Sequence, residues 1–139
     1  MTARQTSLPI VIPQRTVFLG VETVRATLTC DAESVFAMVD AGKLRWVFDI
    51  SLDGETRELR FWTGEIVAPE NAARCTLEKV VSAVLGSGGT IRRGEIERQW
   101  LCSAQHVMRL IKAGELELAA PSQITRASLE LFLKRRLQK

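Results

Sequence analysis

The hydrophobic pattern of the chain occurs twice. Residues 28–46, LTCDAESVFAMVDAGKLRW, align without a gap on residues 100–118, WLCSAQHVMRLIKAGELEL, at an offset of 72. Apolar positions keep their character while polar positions differ freely, which predicts an internal duplication. The matched pairs include Cys30 and Cys102, Val35 and Val107, Met38 and Leu110, Val39 and Ile111, Gly42 and Gly114, and Leu44 and Leu116.

Each copy is predicted to begin with a short helix. Val24 and Leu28 are spaced to share one helical face, and Ile96 and Trp100 repeat that spacing in the second copy. The pattern thus predicts helices just before Cys30 and just before Cys102.

A second helix is predicted in each copy. Asp31 or Ser103 is the expected N-cap, and Gly42 or Gly114 is the expected C-terminal glycine. Two helices joined by a tight turn form a helix-turn-helix. The predicted inward residues are Ala32, Val35, Met38 and Val39 in the first copy, and Ala104, Val107, Leu110 and Ile111 in the second.

The segments that follow differ between the copies. Residues 44–50 alternate between apolar and more polar side chains up to a turn at Asp53 and Gly54, which predicts a long two-stranded wing. The second copy has only residues 115–124 before Thr125, the expected N-cap of a closing helix with an apolar stripe. The second wing is therefore predicted to be shorter.

A separate amphipathic helix is predicted between the copies. It carries an apolar stripe that includes Val80, Val81 and Val84, and it is expected to pack against one or both wings, or across a homodimer. The predicted organisation is an N-terminal extended arm, two units and a connector. Their ranges are 1–15 for the arm, 16–70 for the first unit, 71–89 for the connector and 90–139 for the second unit. Trp46, Trp62 and Trp100 are expected to fill two small cores.

Charge divides the chain. The net charge of +3 over 139 residues combines −3 in residues 1–72, with seven Lys/Arg and ten Asp/Glu, and +6 in residues 73–139, with twelve and six. The second half is therefore expected to meet polyanions. No apolar run approaches membrane-spanning length, so the expectation is a protein of the cytoplasm, associated with the nucleoid, without a membrane partner.

No catalytic constellation is visible. The sequence lacks a Gly-rich phosphate loop, a paired Cys/His set and a nucleophile with a matching base, so we predict no enzyme activity, no metal and no cofactor. The odd cysteine count, without C-x-x-C spacing, indicates reduced core residues: Cys30, Cys75 and Cys102.

Residues 101–136, LCSAQHVMRLIKAGELELAAPSQITRASLELFLKRR, resemble the small winged helix-turn-helix of excisionases and the related MerR-type DNA-binding domains. A short helix, a turn, a recognition helix ending in GEL or GKL, a wing and a closing helix follow in that family's order. The resemblance implies an α+β, mostly α fold of two tandem winged helix-turn-helix units joined by an amphipathic helix. It also implies binding to duplex DNA. The first copy matches through DAESVFAMVDAGKL but departs from the family in charge.

The predicted DNA contacts lie on the second recognition helix and beside the first wing. The second helix is expected to expose side chains suited to base edges and phosphates, whereas the first exposes Asp31, Glu33 and Asp40, which repel a phosphate backbone. Cations near the first wing could still reach phosphates. The predicted contact residues are Ser103, Gln105, His106, Arg109 and Lys112 on the second helix, with Lys43, Arg45, Arg57 and Arg60 beside the first wing.

Two functions remain open at the level of sequence. One is sequence-specific binding of double-stranded DNA by a small transcriptional regulator, or by an excisionase-like architectural factor, of a bacterium, phage or mobile element. The other is a non-catalytic adaptor whose acidic first unit docks a recombinase, relaxase, packaging or replication protein while the second unit binds DNA.

Overall fold

The computed structural model describes residues 16–86 and 88–138. The predicted arm, residues 1–15, lies outside the described residues. The first half contains β1 (Phe18–Leu19), α1 (Val21–Leu28), α2 (Ala32–Asp40), β2 (Val47–Asp49), β3 (Leu59–Trp62) and α3 (Thr63–Val67), followed by a 3-10 helix (Pro69–Arg74). The second half contains α4 (Leu77–Leu85), β4 (Thr90–Arg92), α5 (Arg93–Trp100), α6 (Ala104–Lys112), β5 (Leu118–Ala120), β6 (Gln123–Thr125) and α7 (Arg126–Arg136). The α+β class, with more helix than strand, is confirmed.

The duplication is visible in the element boundaries. Helices α5 and α6 begin and end 72 positions after α1 and α2. The two three-stranded antiparallel sheets also share one topology, with orders β1-β3-β2 and β4-β6-β5. In both sheets, the strand that precedes the helix pair forms antiparallel hydrogen bonds with the second strand of the hairpin. The copies therefore share one local fold.

The predicted helix boundaries rest on the same chemistry in both copies. The carboxylate of Asp31 accepts a hydrogen bond from the Ser34 amide at 2.8 Å, and the hydroxyl of Ser103 accepts one from the His106 amide at 3.1 Å. Gly42 and Gly114 have φ values of 75° and 79° after the second helices, a conformation that glycine adopts without steric cost. The predicted N-caps and C-terminal glycines are confirmed.

The first hairpin is buried on both faces, which the alternating pattern did not predict. Leu19, Val47 and Phe61 face the core formed with α1 and α2. Phe48 and Ile50 point the opposite way and lie, fully buried, in the core of the second half. Because side chains on a strand alternate between faces, one short hairpin closes two cores. The first wing is therefore an internal layer of the molecule.

Helix α4 belongs to the second core. Val80, Val81, Val84 and Leu85 are buried as predicted. The main packing partner of α4 is α7, with a smaller contact to β4, and its apolar residues share a cluster with the first hairpin. The stripe predicted burial correctly, but the sequence did not indicate that α7 would be the partner.

Three further expectations need correction. Ala104 was predicted to face inward but is exposed at the start of α6. Trp100 is fully buried, stacked on Phe132 with ring centroids 5.2 Å apart, whereas Trp46 and Trp62 are only partly buried. The indole nitrogen of Trp46 instead donates to the Ala72 carbonyl at 2.9 Å, because a half-buried indole N–H still needs an acceptor.

Arg136 ties the two halves together. It is buried on α7 and donates to the backbone carbonyls of Asp49 at 3.0 Å and of Ser51, just beyond β2. Its guanidinium also pairs with the Glu115 carboxylate at 3.1 Å and lies over the Phe132 ring. Arg136 lies between Arg135 and Leu137 in a run of basic residues, and the sequence did not single it out as a buried contact between the halves.

The segment after α7 extends the first sheet. Leu137 forms an antiparallel bridge with Phe48, and the Gln138 amide donates to the Val47 carbonyl at 2.8 Å. The outer edge of β2 is thus paired, which removes an exposed strand edge.

Candidate nucleic-acid interface

The outward face of α6 is polar and basic. Ser103, Gln105, Arg109 and Lys112 are exposed, while Val107 and Leu110 anchor the opposite side of the helix in the second core. Helix α6 contains no carboxylate. These side chains offer amide, hydroxyl, guanidinium and ammonium donors along one side of a helix, the chemistry that pairs with purine edges and phosphates.

A groove lies beside the start of this face. It has a volume of about 600 Å³ and runs between the start of α5, the start of α6 and the β5–β6 turn. The Arg93 amide donates to the Ser122 carbonyl at 2.9 Å, so helix α5 and the turn are held together at the groove wall. The lining residues include Arg92, Arg93, Ala104, Ser122 and Gln123, together with Glu95 and Glu97.

The charges of the groove are partly balanced. The guanidinium of Arg93 lies 3.7 Å from the Glu97 carboxylate, and Glu95 pairs with Arg98, which holds the pKa of the Glu95 carboxyl below its usual value. Arg92 is exposed, and none of the ion pairs within residues 16–86 and 88–138 involves it. The charged lining residues, two arginines and two glutamates, thus sum to zero, and Arg92 is the lining cation outside the ion pairs of the described residues.

Arg92 and Arg93 were not among the contact residues predicted from the sequence. The repeat itself carried the signal, because these positions align with Gly20 and Val21 in the first copy. Two cations are thus present at the start of the first helix in the basic copy only.

His106 is placed differently from the other predicted contacts on α6. It is half-buried, and its Nε2 lies 2.6 Å from the carbonyl oxygen of Ile50, just after β2. One edge of the ring is therefore directed at the first hairpin rather than at solvent.

Helix α2, the equivalent of α6 in the first copy, presents an acidic face. Asp31, Glu33 and Asp40 are exposed on or next to α2, and the amide and side chain of Ser34 lower the pKa of the Asp31 carboxyl by hydrogen bonding. Arg57, predicted to contact phosphate, pairs with Asp40 at 3.0 Å and lies over the Phe36 ring at 5.1 Å. Its charge thus offsets the acid at the end of α2.

Arg60 points away from the surface where it was expected. From β3 it reaches into the second half, where its Nε donates to the Trp100 carbonyl at 2.5 Å and its Nη2 to the Leu101 carbonyl at 3.2 Å. Burial lowers the pKa of Arg60, although the nearby Glu58 charge acts in the opposite sense.

Lys43 and Arg45 are the two predicted cations of the first half that are exposed and take no part in the ion pairs of the described residues. The backbone amides of Arg45 and Trp46 both donate to the buried Glu65 carboxylate at 2.8 Å, which fixes the entry to β2. The structure thus separates the predicted site: the α6 residues lie along one helix, and the cations of the first hairpin divide between surface and interior.

The cysteines do not form a reactive or metal-binding group. Cys30, Cys75 and Cys102 are free, and burial raises the pKa of the Cys102 thiol to about 11 in spite of the Arg60 charge beside it. Among the described residues no cluster of three or more His, Cys, Asp or Glu side chains could hold a metal ion. The described helices also include none that is both long and apolar enough to cross a bilayer.

The geometry therefore presents one basic helical face, one adjoining groove with Arg92 exposed at its wall, and one acidic helical face on a duplicated fold. Comparison of the chain with protein-family models, with curated proteins and with solved structures found no match.

Proposed function

We propose that the protein binds double-stranded DNA through α6, as a member of the excisionase-like and MerR-type winged helix-turn-helix group that residues 101–136 resemble. In this arrangement α6 enters the major groove, and the β5–β6 hairpin forms the wing. Arg92, which is exposed and outside the described ion pairs, meets the phosphate backbone next to it. The protein would act as a small transcriptional regulator or as an architectural factor that holds DNA in a bent form.

The observation that carries the proposal is the contrast between the two equivalent helices. The outward face of α6 combines Arg109 and Lys112 with Ser103 and Gln105, whereas the face of α2 exposes three carboxylates. Both helices have the same length and are capped at equivalent positions, by Asp31 and by Ser103, so capping accounts for the carboxylate of Asp31 but not for those of Glu33 and Asp40. Phosphates attract the first kind of face and repel the second.

A second candidate function is favoured by that acidic face. Asp31 and Glu33 are exposed at the start of α2 without an ion-pairing cation among the described residues, so this face suits a basic protein surface better than a nucleic acid. In this form the protein is an adaptor that anchors to DNA by α6 and holds a recombinase or another DNA-processing protein by α2.

The test is selection of duplexes from a random pool by the full chain, followed by affinity measurements on the selected duplex and a scrambled one. Arg109→Ala is expected to weaken binding of the selected duplex by about 1–3 kcal/mol, because a base-edge contact is lost. Arg74→Ala removes the same charge from the exposed 3-10 helix and is the matched control. Failure to enrich any duplex, or equal effects of the two substitutions, would remove α6 as the reading element.

A further inference from the structure

The inner face of the first hairpin contacts the turn of the second helix-turn-helix. We infer that the β2–β3 hairpin is an internal brace for α6, and that Arg60 is a positioning residue for DNA reading although it makes no DNA contact itself. This inference rests on the proposed function and deepens it, because it names what fixes the orientation of the reading helix.

The contact is made where α5 turns into α6. Leu101 has a φ of 54°, a left-handed conformation that is unfavourable for a leucine, and it ends α5. The last carbonyl groups of a helix lack N–H donors within the helix. The carbonyl oxygens of Trp100 and Leu101 accept hydrogen bonds from the guanidinium of Arg60. A cation at this end of a helix is favoured by the helix dipole as well as by the hydrogen bonds.

The first copy lacks this brace. Thr29 occupies the position equivalent to Leu101 and has the same left-handed conformation, with a φ of 57°. Among the hydrogen bonds of the described part of the chain, none joins a side chain to the carbonyl of Leu28 or Thr29. The turn can thus form without an arginine, so formation of the turn does not by itself account for Arg60.

A second contact holds α6 from the same hairpin. The Ile50 carbonyl lies 2.6 Å from Nε2 of His106, in the first turn of α6. Phe48 and Ile50 are buried in the second core beside this contact. Helix α6 is therefore fixed at its start by the Arg60 contacts to the preceding turn and by His106. Recognition demands that a reading helix be held to within roughly 0.5 Å and 10–20°.

Each of the three guanidinium nitrogens of Arg60 already donates to a backbone carbonyl. Besides its bonds to Trp100 and Leu101, its Nη1 donates to the Leu59 carbonyl at 2.9 Å. A guanidinium whose three nitrogens all face backbone carbonyls would have to abandon them to reach a phosphate. Positioning of the turn is thus the role that its geometry supports.

The experiment compares Arg60→Met with Arg57→Met in the full chain. Both remove a guanidinium from the same hairpin, but the guanidinium of Arg57 pairs with Asp40 and lies over the Phe36 ring, both within the first half. Hydrogen exchange without DNA is expected to show amides 102–107 exchanging about tenfold faster in Arg60→Met, with no change there in Arg57→Met. Arg60→Lys keeps the charge but loses the planar fork, and it is the second variant if Arg60→Met does not fold.

Binding is then measured on the selected and the scrambled duplex described above. Arg60→Met is expected to lower the ratio of the two affinities about tenfold while leaving the salt dependence on the scrambled duplex unchanged, because the phosphate contacts remain. Unchanged exchange at amides 102–107 would overturn the brace. Faster exchange with an unchanged affinity ratio would leave Arg60 a purely structural residue and overturn its positioning role. If the wild type enriches no duplex, the proposed function fails, and the positioning role fails with it. The exchange data would still test whether Arg60 stabilises the turn before α6.

Discussion

Neighbouring arginines on α7 should differ sharply in their contribution to stability. Arg135 and Arg136 both pair with Glu115, at 3.6 Å and 3.1 Å, but their side chains are 50% and 8% exposed. Arg136 also donates to the carbonyls of Asp49, Ser51 and Leu52 in the other half of the molecule. Substitution of each arginine by methionine keeps an unbranched side chain and removes the charge.

The expected magnitudes follow from burial. Arg136→Met leaves a partly buried Glu115 with a weaker partner and several carbonyls without a donor, a loss of about 3–5 kcal/mol by analogy with other broken buried ion pairs. Arg135→Met removes an exposed pair that contributes roughly 0–1 kcal/mol. A loss of 3 kcal/mol corresponds to a fall of about 10 °C in Tm for a chain of this size.

The assay is urea unfolding at neutral pH, monitored both by tryptophan fluorescence and by far-UV circular dichroism. A loss below about 1 kcal/mol for Arg136→Met, or equal losses for the two variants, would refute the argument that Arg136 joins the halves. A third variant, Glu115→Gln, should lie between them, because Arg136 keeps its carbonyl acceptors.

Two further predictions concern how the halves divide their work. An isolated fragment of residues 73–139 should fail to fold cooperatively and should bind a hydrophobic dye, because it lacks Phe18, Phe48 and Ile50, which complete its core; a cooperative melting transition of the fragment would contradict the shared core. The double substitution Lys43→Ala with Arg45→Ala should leave the salt dependence of DNA binding unchanged if the first half is a brace or a docking unit. A plot of log affinity against log salt concentration whose slope is flatter by about 1–2 would show instead that the first half contacts phosphates. Lys134→Ala with Arg74→Ala supplies a control of equal charge.

The helices were predictable because their determinants are local. Caps at Asp31 and Ser103, glycines after α2 and α6, and apolar spacing at three and four residues lie within each segment, and the duplication let one copy support the other. The buried stripe of α4 was predictable for the same reason.

The contacts between the halves were not predictable from the same signals. Period-two alternation places Phe48 and Ile50 on one face of a hairpin, but it does not say whether solvent or a second core lies on the other face. Because Val47, Asp49 and Ser51 on the other face are also buried, this strand is covered on both sides. Arg60 and Arg136 carry the same charge as the cations around them, so only tertiary structure distinguishes a buried arginine from a surface one.

Likewise, the candidate interface was only partly accessible to sequence reasoning. Helix periodicity identified the exposed residues of α6, including Arg109 and Lys112. Arg92 and Arg93 became candidates only when the fold placed the start of α5 beside the β5–β6 turn, 30 positions later in the chain.

Pairing of Leu137 and Gln138 with β2 has a consequence for the order in which the protein can fold during synthesis. Arg136 and its acceptor at Asp49 are 87 positions apart, and the bridge from Leu137 to Phe48 closes a loop of similar size. A ribosome adding about 5–20 residues per second would have made the first sheet several seconds before the residues that cover its edge. During that interval β2 presents an unpaired edge and an apolar face, the features that recruit chaperones or promote association of nascent chains. Slow translation between residues 50 and 136 would lengthen that exposure, so codon choice in this region should affect the soluble yield.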